Sequence, residues 1–365
     1  RAMSALICSL LLAIAGFALI QIERGGRALV ALGIAATPML LFLGGSVNPN
    51  SAEVCAAIAV TSVLLLVGQD AATSGRAHSE RLVFLTLSTL MLVNTRSLSF
   101  AWLLAAVVVG IVMAKPGAIA TLFSRRSTWV SFAVISLGVV GAGAWFLVPK
   151  GLASSPDLAV GTDVEPWFAF GRMILVAPLF AIQWVGVFGW LDTQLPIPVY
   201  VLYGAVSAAV VAFALWVGTR RGRALLLGIG LAIVLIPATA QAVLITQWGW
   251  VWQGRYHLAL FGILMVVAGA VIDTSPTLSW RPRHATALRV GLWVIATSQV
   301  AAFSIALYRY SVGTAQPFWT MFTTPAWQPP LGAAVLTLLF AATVAAVAVV
   351  GDRRIPRAQV AVTAS

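Results

Sequence analysis

The chain has 365 residues, of which 61% are hydrophobic and 9% are charged, and its mean hydropathy is +0.99. This apolar fraction exceeds what a soluble domain can bury, so the composition excludes a soluble globular protein and predicts an all-α polytopic membrane protein. The net charge of +12 does not indicate nucleic-acid binding, because the basic residues form short clusters between apolar blocks.

About eleven apolar blocks predict transmembrane helices, since roughly 20 apolar residues at 1.5 Å per residue cross ~30 Å of hydrocarbon. The blocks are residues 2–22, 28–43, 54–68, 82–93, 98–114, 129–147, 199–217, 224–246, 256–272, 290–308 and 331–350. We expect the whole chain, 1–365, to form a single transmembrane domain.

Most of the 22 basic residues fall in every second gap between these blocks. The positive-inside rule therefore places these gaps in the cytoplasm and their alternates outside. The predicted cytoplasmic segments are 23–27, 69–81, 115–128, 219–223, 273–289 and the tail 351–365, and the longest predicted external loops are 148–198 and 309–330.

The stretch 167–190 is apolar enough to span, but it is interrupted by proline and glycine. If it crossed the membrane, the later basic gaps would face outward, against the positive-inside rule. We therefore expect an interfacial or re-entrant segment on the outer face, anchored at headgroup depth by Trp167, Trp184 and Trp190.

An odd number of spans and a cytoplasmic C-terminus put residue 1 outside the cell. The chain begins at Arg1, with neither an initiator Met nor a signal peptide. The expectation is an N-terminally truncated chain, whose intact form has twelve spans and a further external loop.

Polar segments interrupt the predicted outer face, and the first covers residues 46–53. One interpretation is structural: Asn50 caps the next helix and Glu53, three residues on, completes a capping box. The alternative leaves Asn48 and Glu53 as polar groups facing a cavity.

Arg96 lies in the second polar segment, 94–97. The preceding block, 82–93, covers roughly 18 Å at 1.5 Å per residue, which is short of the bilayer thickness. Arg96 is therefore expected below the outer membrane surface, in a turn that lines a polar cavity or is buried in protein. The alternative is that its side chain snorkels to the lipid headgroups.

Asp192 and Trp190 belong to a third polar segment, 189–196. Asp192 can cap a turn through an Asx-type bond. Its carboxylate is equally suited to bind a sugar hydroxyl, a metal ion or a basic residue. The sequence does not separate these alternatives.

The fourth polar segment, 248–256, contains alternating tryptophans followed by Gln253, Arg255 and Tyr256. A planar guanidinium beside these hydrogen-bonding side chains suits recognition of a phosphate or pyrophosphate. The alternative is that Arg255 anchors a span to lipid phosphates. The three histidines have no metal-ligand spacing, so the sequence predicts no metal site from them.

Three short motifs resemble a bacterial membrane family, domain of unknown function 2142; they are VNPN at 47–50, GVFGWLDTQLP at 186–196 and QGRY at 253–256. The resemblance implies about a dozen spans in the bacterial cytoplasmic membrane and a kinship with C-type glycosyltransferases. Such enzymes take a sugar from a polyprenyl-phosphate carrier on the outer face. Their principal catalytic carboxylate lies in the first external loop, which is expected upstream of Arg1.

The leading hypothesis is therefore a glycosyltransferase that uses a polyprenyl-phosphate-linked sugar and acts on an envelope glycan acceptor. Arg255, Gln253 and Tyr256 would hold the carrier phosphate, Arg96 would assist, and Asp192 would bind the acceptor or a divalent metal ion. The catalytic base is unassigned. The alternatives are a lipid-linked-sugar flippase or secondary transporter, which the lack of an internal repeat disfavours, and a non-catalytic envelope assembly protein.

Overall fold

The described residues are almost entirely helical, as the composition predicts. The computed structural model describes residues 1–22, 26–147, 161–276, 278 and 282–355. The α-helices are α1 (Ala2–Ile20), α2 (Gly26–Ala35), α3 (Pro38–Gly44), α4 (Pro49–Gln69), α5 (Gly75–Val93), α6 (Ser99–Met113), α7 (Ala118–Phe123), α8 (Arg126–Leu147), α9 (Pro166–Leu175), α10 (Ala177–Gly186), α11 (Ile197–Val217), α12 (Arg220–Trp248), α13 (Leu258–Asp273), α14 (Pro282–Ser311), α15 (Thr320–Thr323) and α16 (Gly332–Arg354). A hairpin pairs β1 (Val187–Phe188) with β2 (Thr193–Gln194), and a 3-10 turn covers Gly254–His257.

The fold class is confirmed, although fewer of the described helices are long and apolar enough to span than the eleven apolar blocks of the sequence. Within the described ranges, eight helices are long and apolar enough to cross a membrane, or up to ten if each of two bent pairs counts as one span. The predicted spans 82–93 and 98–114 fall outside this set. Helix α5 carries Arg76, Glu80 and Arg81 in its first turns, and α6 has 15 residues, about 22 Å at 1.5 Å per residue.

Helices α4 and α13 form the centre of the bundle and are buried on nearly all sides. A helix that is apolar all round needs this position. Small residues allow the close packing: a Cβ on Gly262 would lie 2.7 Å from Ile58 of α4, and one on Gly269 would lie 2.7 Å from Ala28 of α2. The two central helices therefore fix the positions of the helices around them.

The gaps that the sequence assigns to one side of the membrane meet at one end of the bundle. The linking contacts join Arg81 to Gln21 and Asp70, Arg125 to the Ala72 carbonyl, Gln69 to the Met113 carbonyl, Arg27 to Asp273, Ser275 to the Val217 carbonyl, and Arg289 to Asp352. We call this end the basic end and the opposite end the outer end, following the predicted topology.

The bent pair α9–α10 begins and finishes at the outer end. Before α9, the N–H of Thr162 donates to the Ile245 carbonyl, near the outer end of α12, at 3.3 Å. After α10, the hairpin brings Asp192 to Arg309, near the outer end of α14, at 2.6 Å. A pair of helices bent by 59° is compatible with a broken span or a re-entrant loop. Because both ends of this pair contact helices at the outer end, we call it the re-entrant segment.

The tryptophans of this segment divide into two groups. Trp167 and Trp190 are 74% and 91% exposed, as expected of interfacial anchors. Trp184 differs from the prediction, because its ring stacks on Phe261 of α13 with the centroids 5.3 Å apart. It holds α10 to the core of the bundle.

The predicted span 28–43 is broken in the structure into α2 and α3, which are bent by 67°. Thr37 caps α3 by accepting the N–H of Leu40 at 3.1 Å. The break frees backbone carbonyls inside the bundle, where no water can bind them. The Tyr203 hydroxyl donates to the Ile34 carbonyl and the Gln299 amide donates to the Ala36 carbonyl, both at 2.5 Å.

Replacing Tyr203 with Phe should destabilise the protein, because the fully buried Ile34 carbonyl loses its side-chain donor. The expected loss is about 1–3 kcal/mol in the free energy of unfolding. Thermal unfolding of the purified protein in detergent measures it. Tyr310→Phe is the matched control, since Tyr310 is 55% exposed. Equal melting temperatures for the two variants would contradict the role given to Tyr203.

Candidate functional site

Arg96 lies in the turn between α5 and α6 and points toward the start of α4. One terminal nitrogen of its guanidinium donates to the Asn50 side-chain oxygen and lies 3.8 Å from Oε2 of Glu53. The Arg96 side chain is 26% exposed, whereas Glu53 is fully buried. Arg96 thus contacts the protein at the outer end. The helix before it, α5, has 19 residues, about 28 Å at 1.5 Å per residue, so the short apolar block 82–93 does not mark a short helix.

Glu53 joins α4 to α6. Its Oε1 accepts hydrogen bonds from the Ser99 hydroxyl at 2.8 Å and from the Trp102 indole N–H at 3.1 Å. The capping box proposed from the sequence is wrong. Asn48 is the N-cap of α4, and its side-chain oxygen accepts the N–H of Asn50 at 2.9 Å.

Pro49 explains the earlier helix start. Proline is favoured at the first helical position, because its fixed φ suits a helix and its missing N–H has no partner there anyway. The helix therefore begins one residue before Asn50, which leaves both Asn50 and Glu53 free to turn toward Arg96 and α6.

Tyr256 brings Arg96 and Arg255 together. The Arg96 guanidinium carbon lies 4.6 Å from the centre of the Tyr256 ring, and that of Arg255 lies 5.9 Å from the same centre. Such distances favour attraction between a cation and an aromatic ring. We call Asn50, Glu53, Arg96, Arg255 and Tyr256 the outer arginine cluster.

Two polar atoms beside this cluster are buried without a partner. Within the described part of the chain, neither Nε of Arg255 nor the side-chain oxygen of Gln253 has a hydrogen-bond partner. A buried polar group without a partner is costly, so its presence in a folded protein needs an explanation. A bound anion would supply an acceptor for Nε of Arg255, although the Nε atoms of Arg81, Arg289 and Arg309 are buried in the same way.

The turn that carries Arg255 is held by the re-entrant segment. The N–H of Gly254 donates to the Gln183 side-chain oxygen at 2.6 Å, and the Gly254 carbonyl accepts the Trp184 indole N–H at 3.1 Å. A Cβ at this position would lie 2.7 Å from the Phe180 carbonyl oxygen. Only glycine lets the backbone approach α10 this closely.

Gln241 orders the irregular chain between α12 and the turn. Its amide is fully buried, donates to the Gly249 carbonyl at 2.7 Å, and accepts the N–H groups of Val251 and Trp252 at 3.1 and 3.0 Å. The indole of Trp252 then donates to the buried His257 ring at 3.0 Å. Gln183 and Gln241 are not among the candidates that the sequence motifs select; an amide within an apolar helix is the signal that marks such residues.

Asp192 and Trp190 have no recorded contact with the outer arginine cluster. Asp192 accepts the Arg309 guanidinium at 2.6 Å and the Thr193 hydroxyl at 2.9 Å. These hydrogen bonds, of which the one from Arg309 has the larger effect, hold the pKa of Asp192 below its usual range. Of the alternatives raised by the sequence, the structure shows binding to a basic residue.

Comparison with known proteins identifies a family. Residues 1–267 match the family described as "Predicted membrane protein (DUF2142)". The chain belongs to this family. No curated protein and no solved structure matches it. The matched region of this DUF2142 protein includes the whole outer arginine cluster, α10 and Asp192; the kinship with glycosyltransferases stays a prediction.

The acidic residues of this DUF2142 protein are dispersed. Among the described residues, no three His, Cys, Asp or Glu side chains gather as a metal site would require. Of the outer carboxylates, Glu53 accepts hydrogen bonds from Ser99 and Trp102, and Asp192 accepts them from Arg309 and Thr193. A divalent ion bound to Asp192 would have to share the carboxylate oxygens of that residue with Arg309.

Gly254→Ala in this DUF2142 protein should displace the Arg255 turn from α10, because the added Cβ meets backbone and side-chain atoms at 2.7 Å. Overpacking of this kind typically costs about 1–3 kcal/mol. A lower melting temperature in detergent is the expected result. Gly228→Ala is the control, since a Cβ there meets nothing within 4 Å. Equal melting temperatures would refute the tight contact.

The Asp192–Arg309 pair should stabilise the protein to its full extent only above the pKa of a free aspartate. Because folding lowers the pKa of Asp192 from an unfolded value near ~3.9, its stabilisation is lost as the pH falls through the lowered value. The melting-temperature difference between the native protein and Asp192→Asn should be present at about pH 6 and vanish in strong acid. A difference independent of pH would argue against this pair.

Proposed function

We propose that this protein binds a polyprenyl-phosphate-linked sugar at its outer face and transfers the sugar to a cell-envelope glycan. The observation that carries the proposal is the outer arginine cluster. Two guanidinium groups lie 4.6 and 5.9 Å from one tyrosine ring, whereas the cluster contains one carboxylate, Glu53, which faces Arg96 at 3.8 Å. The cluster therefore retains positive charge for an anionic ligand.

Arg255 is the principal phosphate ligand in this proposal. Its planar guanidinium suits bidentate binding of phosphate oxygens, and its buried Nε lacks an acceptor among the described residues. Gln253 and Tyr256 flank it and supply further polar contacts. Arg96, held by Asn50 and Glu53, supplies a second cation at a fixed position.

The proposed chemistry is an inverting transfer. The acceptor hydroxyl attacks the anomeric carbon, the bond from that carbon to the carrier phosphate oxygen breaks, and a carboxylate takes the hydroxyl proton. The arginines stabilise the negative charge that grows on the leaving phosphate. The base stays unassigned, and Asp192 with the neighbouring exposed Trp190 is proposed for acceptor binding.

The protein is proposed to work in the bacterial cytoplasmic membrane, with the outer end facing the envelope and the basic end facing the cytoplasm. The gathering of the basic gaps at one end supports this orientation. The cluster would then meet carrier lipids of the outer leaflet, and its partners would be the bilayer, the lipid-linked sugar and the glycan acceptor.

One observation favours a second function, a lipid-linked-sugar flippase or secondary transporter. The helix break between α2 and α3, and the re-entrant pair α9–α10, are features that transporters use at their binding sites. In that function the same arginines would bind the carrier phosphate, but the sugar would remain attached to the lipid.

Arg255→Ala should weaken binding of a short-chain polyprenyl phosphate by about 10- to 100-fold, because one charged hydrogen-bonding group contributes about 1.5–3 kcal/mol. Arg96→Ala should weaken it less than Arg255→Ala does. Native mass spectrometry of the purified protein, titrated with the lipid, measures both affinities. Arg172→Ala is the matched control, since Arg172 packs on Trp250 outside the cluster.

Unchanged affinity in both cluster variants would overturn the proposal. A second experiment separates sugar transfer from lipid transport: the protein is supplied with a polyprenyl-phosphate sugar whose sugar is labelled. Release of sugar-free polyprenyl phosphate in the presence of envelope glycan supports transfer. Movement of the intact lipid across liposomes, without release, supports the flippase.

A further inference from the structure

A cavity of about 530 Å³ lies among α2, α11 and α14, and none of its lining residues belongs to the outer arginine cluster. Apolar side chains make up nearly all of its lining, and the exceptions are Arg27 and His284. We call it the inner furrow. The lining residues are Arg27, Val30, Ala31, Ile34, Ala205, Val206, Ala209, Val210, Phe213, Ile272, His284, Ala287, Leu288, Val290 and Gly291.

The inner furrow occupies the half of the bundle next to the basic end. It is lined by the whole length of α2 and by the first turns of α14, and both helices start at that end. From α11 it takes residues 205–213, between the middle of the helix and its end at Val217, whose carbonyl binds Ser275 of the basic end. The furrow therefore runs from the basic end toward the middle of the membrane.

Small residues create the furrow. Ala205, Ala209, Ala287 and Gly291 stand where larger side chains would close the gap between α11 and α14. Apolar cavities of this kind stay dry, so the space suits a hydrocarbon chain better than water. In a membrane, the hydrocarbon at hand is a lipid acyl chain.

The polar end of the furrow is basic. Arg27 is buried, lies 3.6 Å from Asp273 and donates to the Ile272 carbonyl at 3.3 Å. Asp273 also accepts the N–H of Ala28 at 2.8 Å through Oδ2, the other oxygen of the carboxylate that faces Arg27. His284 lines the furrow and the exposed Arg283 precedes it, at the start of α14, where the helix dipole adds partial positive charge.

We propose that the inner furrow binds an anionic phospholipid of the adjacent leaflet, with one acyl chain in the furrow and the headgroup phosphate at Arg283 and His284. Basic pockets between helices are suited to such headgroups, and the apolar lining of the furrow would bury part of the acyl chain. This site does not depend on the proposed function.

The test is native mass spectrometry of the full chain in detergent, titrated with phosphatidylglycerol and, separately, with phosphatidylcholine. We expect a single tightly held phosphatidylglycerol. Ala209→Trp should fill the furrow and weaken its binding at least tenfold. Ala208→Trp is the matched control: it lies on the same exposed turn of α11, outside the furrow, and should bind as the native protein does.

Arg283→Ala tests the headgroup contact without adding bulk to the bundle, so it also serves if Ala209→Trp fails to fold. It should weaken the binding of phosphatidylglycerol and leave the binding of phosphatidylcholine unchanged. Arg126→Ala, at another helix start of the basic end, should change the binding of neither lipid. Equal binding of the two lipids by the native protein, or native binding of phosphatidylglycerol by folded Ala209→Trp, overturns the proposal.

Discussion

Inside a bilayer no water is available to bind a peptide group, so every break in a helix must be repaired by a side chain of the protein. Two irregular stretches of the described chain, the break between α2 and α3 and the chain that follows α12, show this repair. Tyr203 and Gln299 bind the carbonyls freed between α2 and α3. Gln241 binds three backbone groups beyond α12, and Gln183 binds the N–H of Gly254.

This constraint connects the fold to the site. The turn with Arg255 could not keep an irregular backbone near the membrane unless Gln183 and Trp184 of α10 satisfied its polar groups. The re-entrant segment is thus a support for the arginine as well as a cover of the outer end. Because Gly254 touches α10 on both its N–H and its carbonyl, a movement of α10 would move Arg255 with it. The position of Arg255, and with it the proposed binding of a ligand, therefore depends on the packing of its turn against α10.

The sequence predicts the fold class and the sides of the bundle because hydropathy and the placement of arginines are local patterns. It also selects Arg96, Arg255, Glu53 and Asn48 as polar residues that need explanation. It does not predict that Arg96 meets Asn50, or that Asp192 meets Arg309, since these partners are 46 and 117 residues apart. The break at Thr37 and Pro38 was missed because an apolar block of normal length hides it. The capping error has a local cause, since Pro49 moves the helix start ahead of Asn50.

The two arginines of the cluster are not equivalent, and the difference follows from Glu53. Its Oε1 is satisfied by Ser99 and Trp102, whereas Oε2 is buried, has no hydrogen-bond partner among the described residues, and faces Arg96 at 3.8 Å. Removing the cation from a buried carboxylate is strongly destabilising, so Arg96 is tied to its place. Arg255 faces no such carboxylate within the described chain; its recorded contact is the Tyr256 ring. The charge of Arg96 is therefore largely balanced inside the protein, and Arg255 carries the charge that remains for a ligand.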